Sequence, residues 1–292
     1  MFVSFFQAVV IGVLQGITEL FPISSLGHSV LFPAWLGWNE LTNGTAADKS
    51  FYLTFLVGLH VATAFALVIF FRSDWVRIVR GFLTSIRDRQ VDTPDQRMAW
   101  LLVLATVPVG IVGLLFEHGL RTLFAKPLAA AIFLTVNGLI LLVGERLRKR
   151  TRPRAEHTDG NDANLGDGST VTTVDAALVG TSQIAALFAG ISRSGVTMVA
   201  GLLRGLDHED AARLSFLLAT PVIFAAGLYK LPDLFGPLGD GIRSQVLVGS
   251  IVAGVAAYFA VRFLTRFFHT RTLLPFAIYC LIAGTASIIR FS

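Results

Sequence analysis

The chain has 292 residues, 54% hydrophobic and 15% charged, with a formal net charge of +5 and a mean hydropathy of +0.68. Soluble domains carry about 25% charged residues, so this balance excludes an ordinary soluble domain and points to an integral membrane protein. One cysteine excludes an intrachain disulfide and a cysteine-based metal site, and the basic excess lies between apolar runs, not in an aromatic-interleaved domain that would hold nucleic acid.

In chain order, the first apolar segment (2–37) is broken by QGITELFPISSLGHS, residues 15–29, which carries Glu19, Pro22, Ser24, Ser25 and His28. No basic stretch precedes it and no small-residue cleavage site follows, so it reads as retained segment and not as a signal peptide. Apolar runs come next at 51–71, 98–118 and 127–147, each near the ~20 residues needed to cross about 30 Å of hydrocarbon. Residues 148–172, rich in Arg, Gly, Asp and Asn, read as a solvated linker. A second broken segment (173–206) contains GISRSGVT, 190–197, and runs at 209–231, 245–264 and 273–290 complete the chain. Such lengths fit helices; barrel strands need only about 10 residues.

The two broken segments correspond. PISSLG (22–27) and GISRSG (190–195) align Ile23 with Ile191, Ser24 with Ser192 and Gly27 with Gly195 at an offset of 168, which also pairs Gln15 with Gln183. FLVGLHV (55–61) with FLLATPV (216–222), and Pro127 with Pro275, continue the series. The expected architecture is an all-α integral membrane protein with six full transmembrane helices and two re-entrant helical hairpins in an inverted-topology repeat. Residues 1–147 form its first repeat, 148–172 a cytoplasmic linker and 173–292 the second. Interrupted apolar segments at equivalent places point to a binding site near the bilayer midplane. Seventeen basic residues fall in 72–97, 146–154, 204–213 and 262–271, against six in the other segments between runs. The positive-inside rule makes the first set cytoplasmic.

Arg193 stands apart, inside the second break. An arginine at the membrane centre costs about 2.5–3.5 kcal/mol on insertion scales, so it calls for a partner. The complementary charge in the first break is Glu19. Hairpin tips entering from opposite faces are expected to bring Glu19, Ser24, Ser25 and His28 to Ser192, Arg193, Ser194 and Thr197. Pro22 is expected to open one helix and Ser192 to cap another. Helix starts present free amides and a positive dipole end to a phosphate, and a guanidinium grips phosphate oxygens in pairs. Ser25 and His28, three apart, can share a helix face as nucleophile and base, or His28 can attack phosphorus itself. Glu19 can orient His28, serve as base, or help hold a divalent cation. The residues alone leave these roles open.

Other positions have plainer readings. Gly16, Gly27, Gly195 and Gly201 suit close packing. His60 and Asn137 read as interhelical hydrogen-bonders, and Cys280 as a packing residue. Glu117, His118 and Glu145 read as reaching interfacial water, and Asp207–Asp210 as a cap and solvated turn. A purely structural Glu19–Arg193 pair leaves the hydroxyls and imidazole around it unexplained.

GITELFPISSLGH (16–28) and GISRSGVT (190–197) closely resemble the two signature motifs of the bacterial undecaprenyl-diphosphate phosphatases, the bacitracin-resistance family. RLSFLLATP (213–221) and LPFAIY (274–279) look like its later segments, so the resemblance covers essentially the whole chain. It implies removal of the terminal phosphate from a C55 lipid diphosphate, with Mg²⁺ or Ca²⁺, in the bacterial inner membrane at a site opening to the periplasmic side. It implies Glu19, Ser25, His28 and Arg193 as the catalytic set. Gln15, Ser24, Ser192, Ser194 and Thr197 would bind substrate, and Glu19 is a candidate metal ligand. The implied partner is the polyprenyl diphosphate lipid, and a homo-oligomer is compatible with such a bundle. Three positions depart from the family pattern: Gln15 replaces the first acid of its E-G-x-T-E stretch, Leu26 its usual Thr, and Leu56 the Gln of the first full span. A lipid-phosphate transporter or flippase, a phosphatase for another polyprenyl diphosphate, and a structural membrane subunit are the rival readings.

Overall fold

A computed structural model describes residues 3–38, 41, 46–116, 126–149, 171–236 and 240–292, the side chains of 46–50, 231 and 233 excepted. Nearly all of the linker, with Glu117 and His118, lies outside the described residues.

Among the described residues every regular element is a helix. The first break separates α1 (Phe5–Thr18) from α2 (Ser25–Trp35). Then come α3 (Ala46–Phe70), α4 (Arg72–Asp88), α5 (Pro94–Leu115) and α6 (Pro127–Arg148). The second break lies between α7 (Thr173–Ser182), continued by a 3-10 turn at Gln183–Leu187, and α8 (Arg193–Leu203). The chain ends with α9 (His208–Phe235), α10 (Arg243–Phe268) and α11 (Leu274–Phe291).

Six helices, α3, α5, α6, α9, α10 and α11, are long and apolar enough to cross a membrane, at the expected places. At 1.5 Å per residue the 14 residues of α1 reach about 21 Å, short of the ~30 Å hydrocarbon core. The basic segment 72–97, between two apolar runs, is mostly α4. Its amphipathic pattern makes a helix lying against α5, where a Cβ on Gly81 would stand 2.7 Å from the Asp95 carbonyl carbon.

Small residues let helices approach, as lipid-embedded bundles require. On α1, a Cβ at Gly12 would come 2.6 Å from Gly249 O of α10. Gly138 of α6 similarly faces α11, 2.9 Å from Leu281 N. In the first turn of α2, a Cβ on Gly27 would stand 2.8 Å from the Cα of Gly190. Larger side chains would push these pairs apart.

Buried charges away from the breaks are paired. Asp74 accepts from Arg77 (2.6 Å) and Arg213 (2.8 Å), and Arg204 Nε meets Asp175 at 2.6 Å. Glu145 does not reach interfacial water as expected: it is buried, 2.8 Å from His208 Nε2, and accepts from Leu273 N at 3.1 Å. A carboxylate near a helix end is spared water when imidazole and an amide replace its hydration. Asp207 caps α9 through Asp210 N, as expected, but His208 beside it turns inward.

Candidate functional site

The tips of the two broken segments meet. Ser24 and Ser192 are the N-caps of α2 and α8, each accepting at 3.2 Å from the amide three residues on, Gly27 N and Gly195 N. Ser24 Oγ also accepts from Gly190 N at 3.2 Å, across the junction. Ser194 Oγ donates to Phe21 O at 3.2 Å. Asn137, expected as an interhelical hydrogen-bonder, clips both tips: Nδ2 donates to Pro22 O (3.0 Å) and Oδ1 accepts from Ser192 N (2.9 Å).

Pro22 does not open α2 as expected. It lies in the turn, and the helix starts three residues later at Ser25. The connection runs through Ser24 at φ 71°, ψ 102°, a positive-φ conformation that residues other than glycine rarely take. Its two accepted hydrogen bonds hold it there, and strain of this kind gathers where a site over-determines the backbone.

Glu19, at the end of α1, is the hub. Its Oε1 accepts from Arg193 Nη2 at 2.9 Å. Its Oε2 accepts from Ser25 Oγ at 2.5 Å and from Gln15 Nε2 at 3.0 Å, and stands 3.2 Å from His60 Nε2. Glu19 is 7% exposed and the Arg193 side chain 13%. Arg193 Nη1 is buried with no hydrogen-bond partner among the described residues. Around it lie two helix N-termini, whose first amides have no carbonyl within their own helix and favour an anion.

His28 is placed differently from the expected nucleophile–base pair with Ser25. Its Nδ1 is 2.7 Å from Ser24 O and its Nε2 2.7 Å from Tyr279 OH. A carbonyl can only accept, so Nδ1 carries the proton, and Nε2 is engaged by the Tyr279 hydroxyl, accepting from it whenever the ring is neutral. Ser25 faces Glu19 instead. Three-residue spacing allowed the Ser25–His28 pair; the side-chain directions on α2 decided against it.

The remaining expected residues separate by direction. Gln15 reaches the carboxylate. Thr197 Oγ1 lies 2.8 Å from both Arg193 O and Ser215 Oγ, so it fastens α8 to α9 beneath the tip. Ser192 and Ser194 serve the tip junction, their hydroxyls 3.0 Å apart.

His60 and Tyr279 join the site without having been singled out for it. For His60 a signal existed, since an ionisable residue inside a span usually faces a partner or cavity. Its Nδ1 bonds Leu56 O at 2.8 Å; both ring nitrogens face oxygens, which only the doubly protonated ring satisfies fully. Tyr279 carried no comparable signal, because tyrosines at span ends are common as interfacial anchors.

The donor set does not suit a resident metal ion. Among the described residues no three His, Cys, Asp or Glu side chains cluster. The one carboxylate here already accepts from a guanidinium, an amide and a hydroxyl, whereas hard cations need several free oxygens.

Six membrane-length helices and a buried carboxylate–guanidinium pair where two helix N-termini meet define a polytopic membrane protein whose charged centre suits a phosphorylated or similarly anionic group. The chain belongs to the family described as bacitracin resistance protein BacA, whose model matches residues 8–286. It is 55% identical to "Undecaprenyl-diphosphatase 2" of Frankia alni, over 99% of this chain and 98% of that protein. It is 56% identical to "Undecaprenyl-diphosphatase" of Mycolicibacterium paratuberculosis (98% and 97%), and 42% identical to "Undecaprenyl-diphosphatase 2" of Chromobacterium violaceum (97% of each).

Proposed function

We propose that this chain hydrolyses undecaprenyl diphosphate to undecaprenyl phosphate and inorganic phosphate, recycling the lipid carrier of cell-wall synthesis and conferring bacitracin resistance. The observation that carries this reading is the Glu19 carboxylate bridging Arg193 and Ser25, at 2.9 and 2.5 Å. One carboxylate thus links an anion grip to a hydroxyl nucleophile.

In this mechanism the terminal phosphate lies against Arg193, whose unpaired Nη1 grips its oxygen while Nη2 stays on Glu19, and the first amides of α2 and α8 add donors. Ser25 Oγ attacks the terminal phosphorus and its proton passes to Glu19 Oε2. The bond from that phosphorus to the bridging oxygen breaks, and the electron pair leaves with the lipid monophosphate, which carries off the Glu19 proton. Water then attacks the phosphoserine. Glu19 takes a proton from the water, returns one to Ser25 Oγ, and phosphate departs. Positioned proton transfer of this kind contributes about 10²–10⁴-fold. His28 positions rather than attacks, because its Nε2 lone pair is committed to Tyr279. Phosphate release from the purified chain, assayed with the long-chain lipid, tests the reading; lipid movement across liposomes without hydrolysis would sink it in favour of a transporter.

We assign the divalent cation, Mg²⁺ or Ca²⁺, to the substrate's diphosphate and not to the protein. Calorimetry is expected to find no stoichiometric Mg²⁺ binding by the chain alone. In Gln15→Glu a second carboxylate would stand where Gln15 Nε2 now donates to Glu19 at 3.0 Å. That pair repels unless a cation or proton intervenes, so the variant is expected to bind Mg²⁺ and to become more sensitive to chelator. Stoichiometric binding by the unaltered chain would overturn the assignment.

The same reading makes the two broken segments re-entrant hairpins of an inverted repeat. Its supports are the matched caps Ser24 and Ser192, and the way α1 packs on α10 while α7 packs on α5, as an exchange of halves requires. The membrane is the bacterial inner membrane, the arginine-rich face cytoplasmic and the site open to the periplasmic side. Cysteines introduced at Ser73 and at Ser244, both exposed, are expected to label from opposite sides of intact cells, with Ser244→Cys reached from outside. Labelling of both from one side would refute the topology.

A further inference from the structure

Neither the site nor the bundle core uses the outer face of α4. The inner face is fixed: Ser85 accepts from Trp100 Nε1 at 2.9 Å and Thr84 from Gln96 Nε2 at 3.2 Å, while Asp74, Ile78 and Gly81 are buried. The outer face shows Val76 (62% exposed), Val79 (49%), Leu83 (61%) and Ile86 (54%). Arg77 and Arg87 are paired with Asp74 and Asp88, but Arg72 and Arg80 have no acidic partner among the described residues. A groove of about 560 Å³ runs along this face, with Arg72, Arg80 and Arg87 beside Val76, Val79 and Leu83. The indole N–H of Trp75, in its wall, is buried with no partner among the described residues.

Position supplies the rest. α4 begins two residues after α3 ends, so it lies where a membrane-length helix leaves hydrocarbon. A helix there with an apolar strip and an arginine rim has the composition of an interfacial helix that seats acyl chains below and anionic headgroups beside it.

We infer that the outer face of α4 is a docking surface for anionic phospholipid. The headgroup phosphate sits between Arg72 and Arg80, and the acyl chains lie over Val76, Val79 and Leu83. Charge complementarity selects this occupant. A zwitterionic lipid brings no net charge to the two unpaired guanidiniums, and a second copy of the chain would bring the same basic rim and be repelled.

The test compares the full-length chain with an Arg72→Gln/Arg80→Gln double variant, both at exposed positions that leave the inner face intact. Each is reconstituted into phosphatidylcholine vesicles containing phosphatidylglycerol and extracted in mild detergent, and retained lipids are counted by native mass spectrometry. The unaltered chain is expected to retain phosphatidylglycerol preferentially, and the preference to fall about fivefold per arginine removed, the effect of one basic residue at an anionic surface. Raised salt during extraction is expected to weaken retention in the unaltered chain more than in the variant. Equal retention by the two chains would overturn the inference. So would a shift from monomer to dimer on removing the arginines with lipid retention unchanged, since that result makes a second copy the occupant.

Discussion

Replacing Glu19 with Gln is expected to lower turnover of undecaprenyl diphosphate about a thousandfold while KM moves only a few-fold, read as inorganic phosphate released by the purified chain. The amide keeps the carboxylate's shape but cannot take the Ser25 proton across the 2.5 Å contact. Binding should survive, because Arg193 loses a competitor: its Nη2 no longer meets a charged Oε1 at 2.9 Å and is free for phosphate. The same change leaves a buried guanidinium without its counter-charge, a loss worth about 3–5 kcal/mol when one partner of a buried pair is removed. The variant is therefore also expected to melt at lower temperature without ligand and to regain part of the difference in phosphate. A variant that is slow but equally stable would still support the role of base; one that is unstable yet turns over normally would make Glu19 a purely structural partner of Arg193.

Ser25→Ala and His28→Ala are expected to separate. Loss of the hydroxyl should lower phosphate release by at least about 10³-fold and abolish phosphoenzyme, since neither nucleophile nor its activated proton remains. Brief reaction of the unaltered chain with lipid diphosphate labelled in the terminal phosphate is expected to leave an acid-stable phosphoserine at position 25. His28→Ala is expected to slow release about 10²-fold yet still form that phosphoserine, because the imidazole acts through Ser24 O and Tyr279 OH, holding the start of α2 in place. An acid-labile adduct on His28, persisting in Ser25→Ala, would reverse the assignment. Tyr279→Phe offers a check on the same contact: freeing the His28 Nε2 lone pair should weaken positioning without creating a phosphohistidine.

The six membrane-length helices were legible in the chain because the bilayer imposes a length rule. Apolar runs near 20 residues have few alternatives to spanning helices, and 54% hydrophobic content leaves little room for another fold. The pairing of Glu19 with Arg193 was legible for a related reason: isolated charges in low dielectric must find each other, and each break held one. The Ser192 cap followed from local chemistry, a serine three residues before a glycine whose amide needs an acceptor; that Ser24 and not Pro22 would open α2 did not. What the chain could not disclose was direction. Whether Ser25 turns to His28 or to Glu19, whether Thr197 faces a ligand or Ser215, and whether Glu145 meets water or His208 each depend on rotamers chosen by several helices at once. His60 reaches Glu19 and Tyr279 reaches His28 from positions 41 and 260 residues beyond Glu19, and no spacing rule connects them. Composition and periodicity therefore determined which helices exist and which charges must meet; only tertiary packing decided which atom of each side chain the others touch, because hydrogen-bond direction is a property of the assembled interior and not of any one segment.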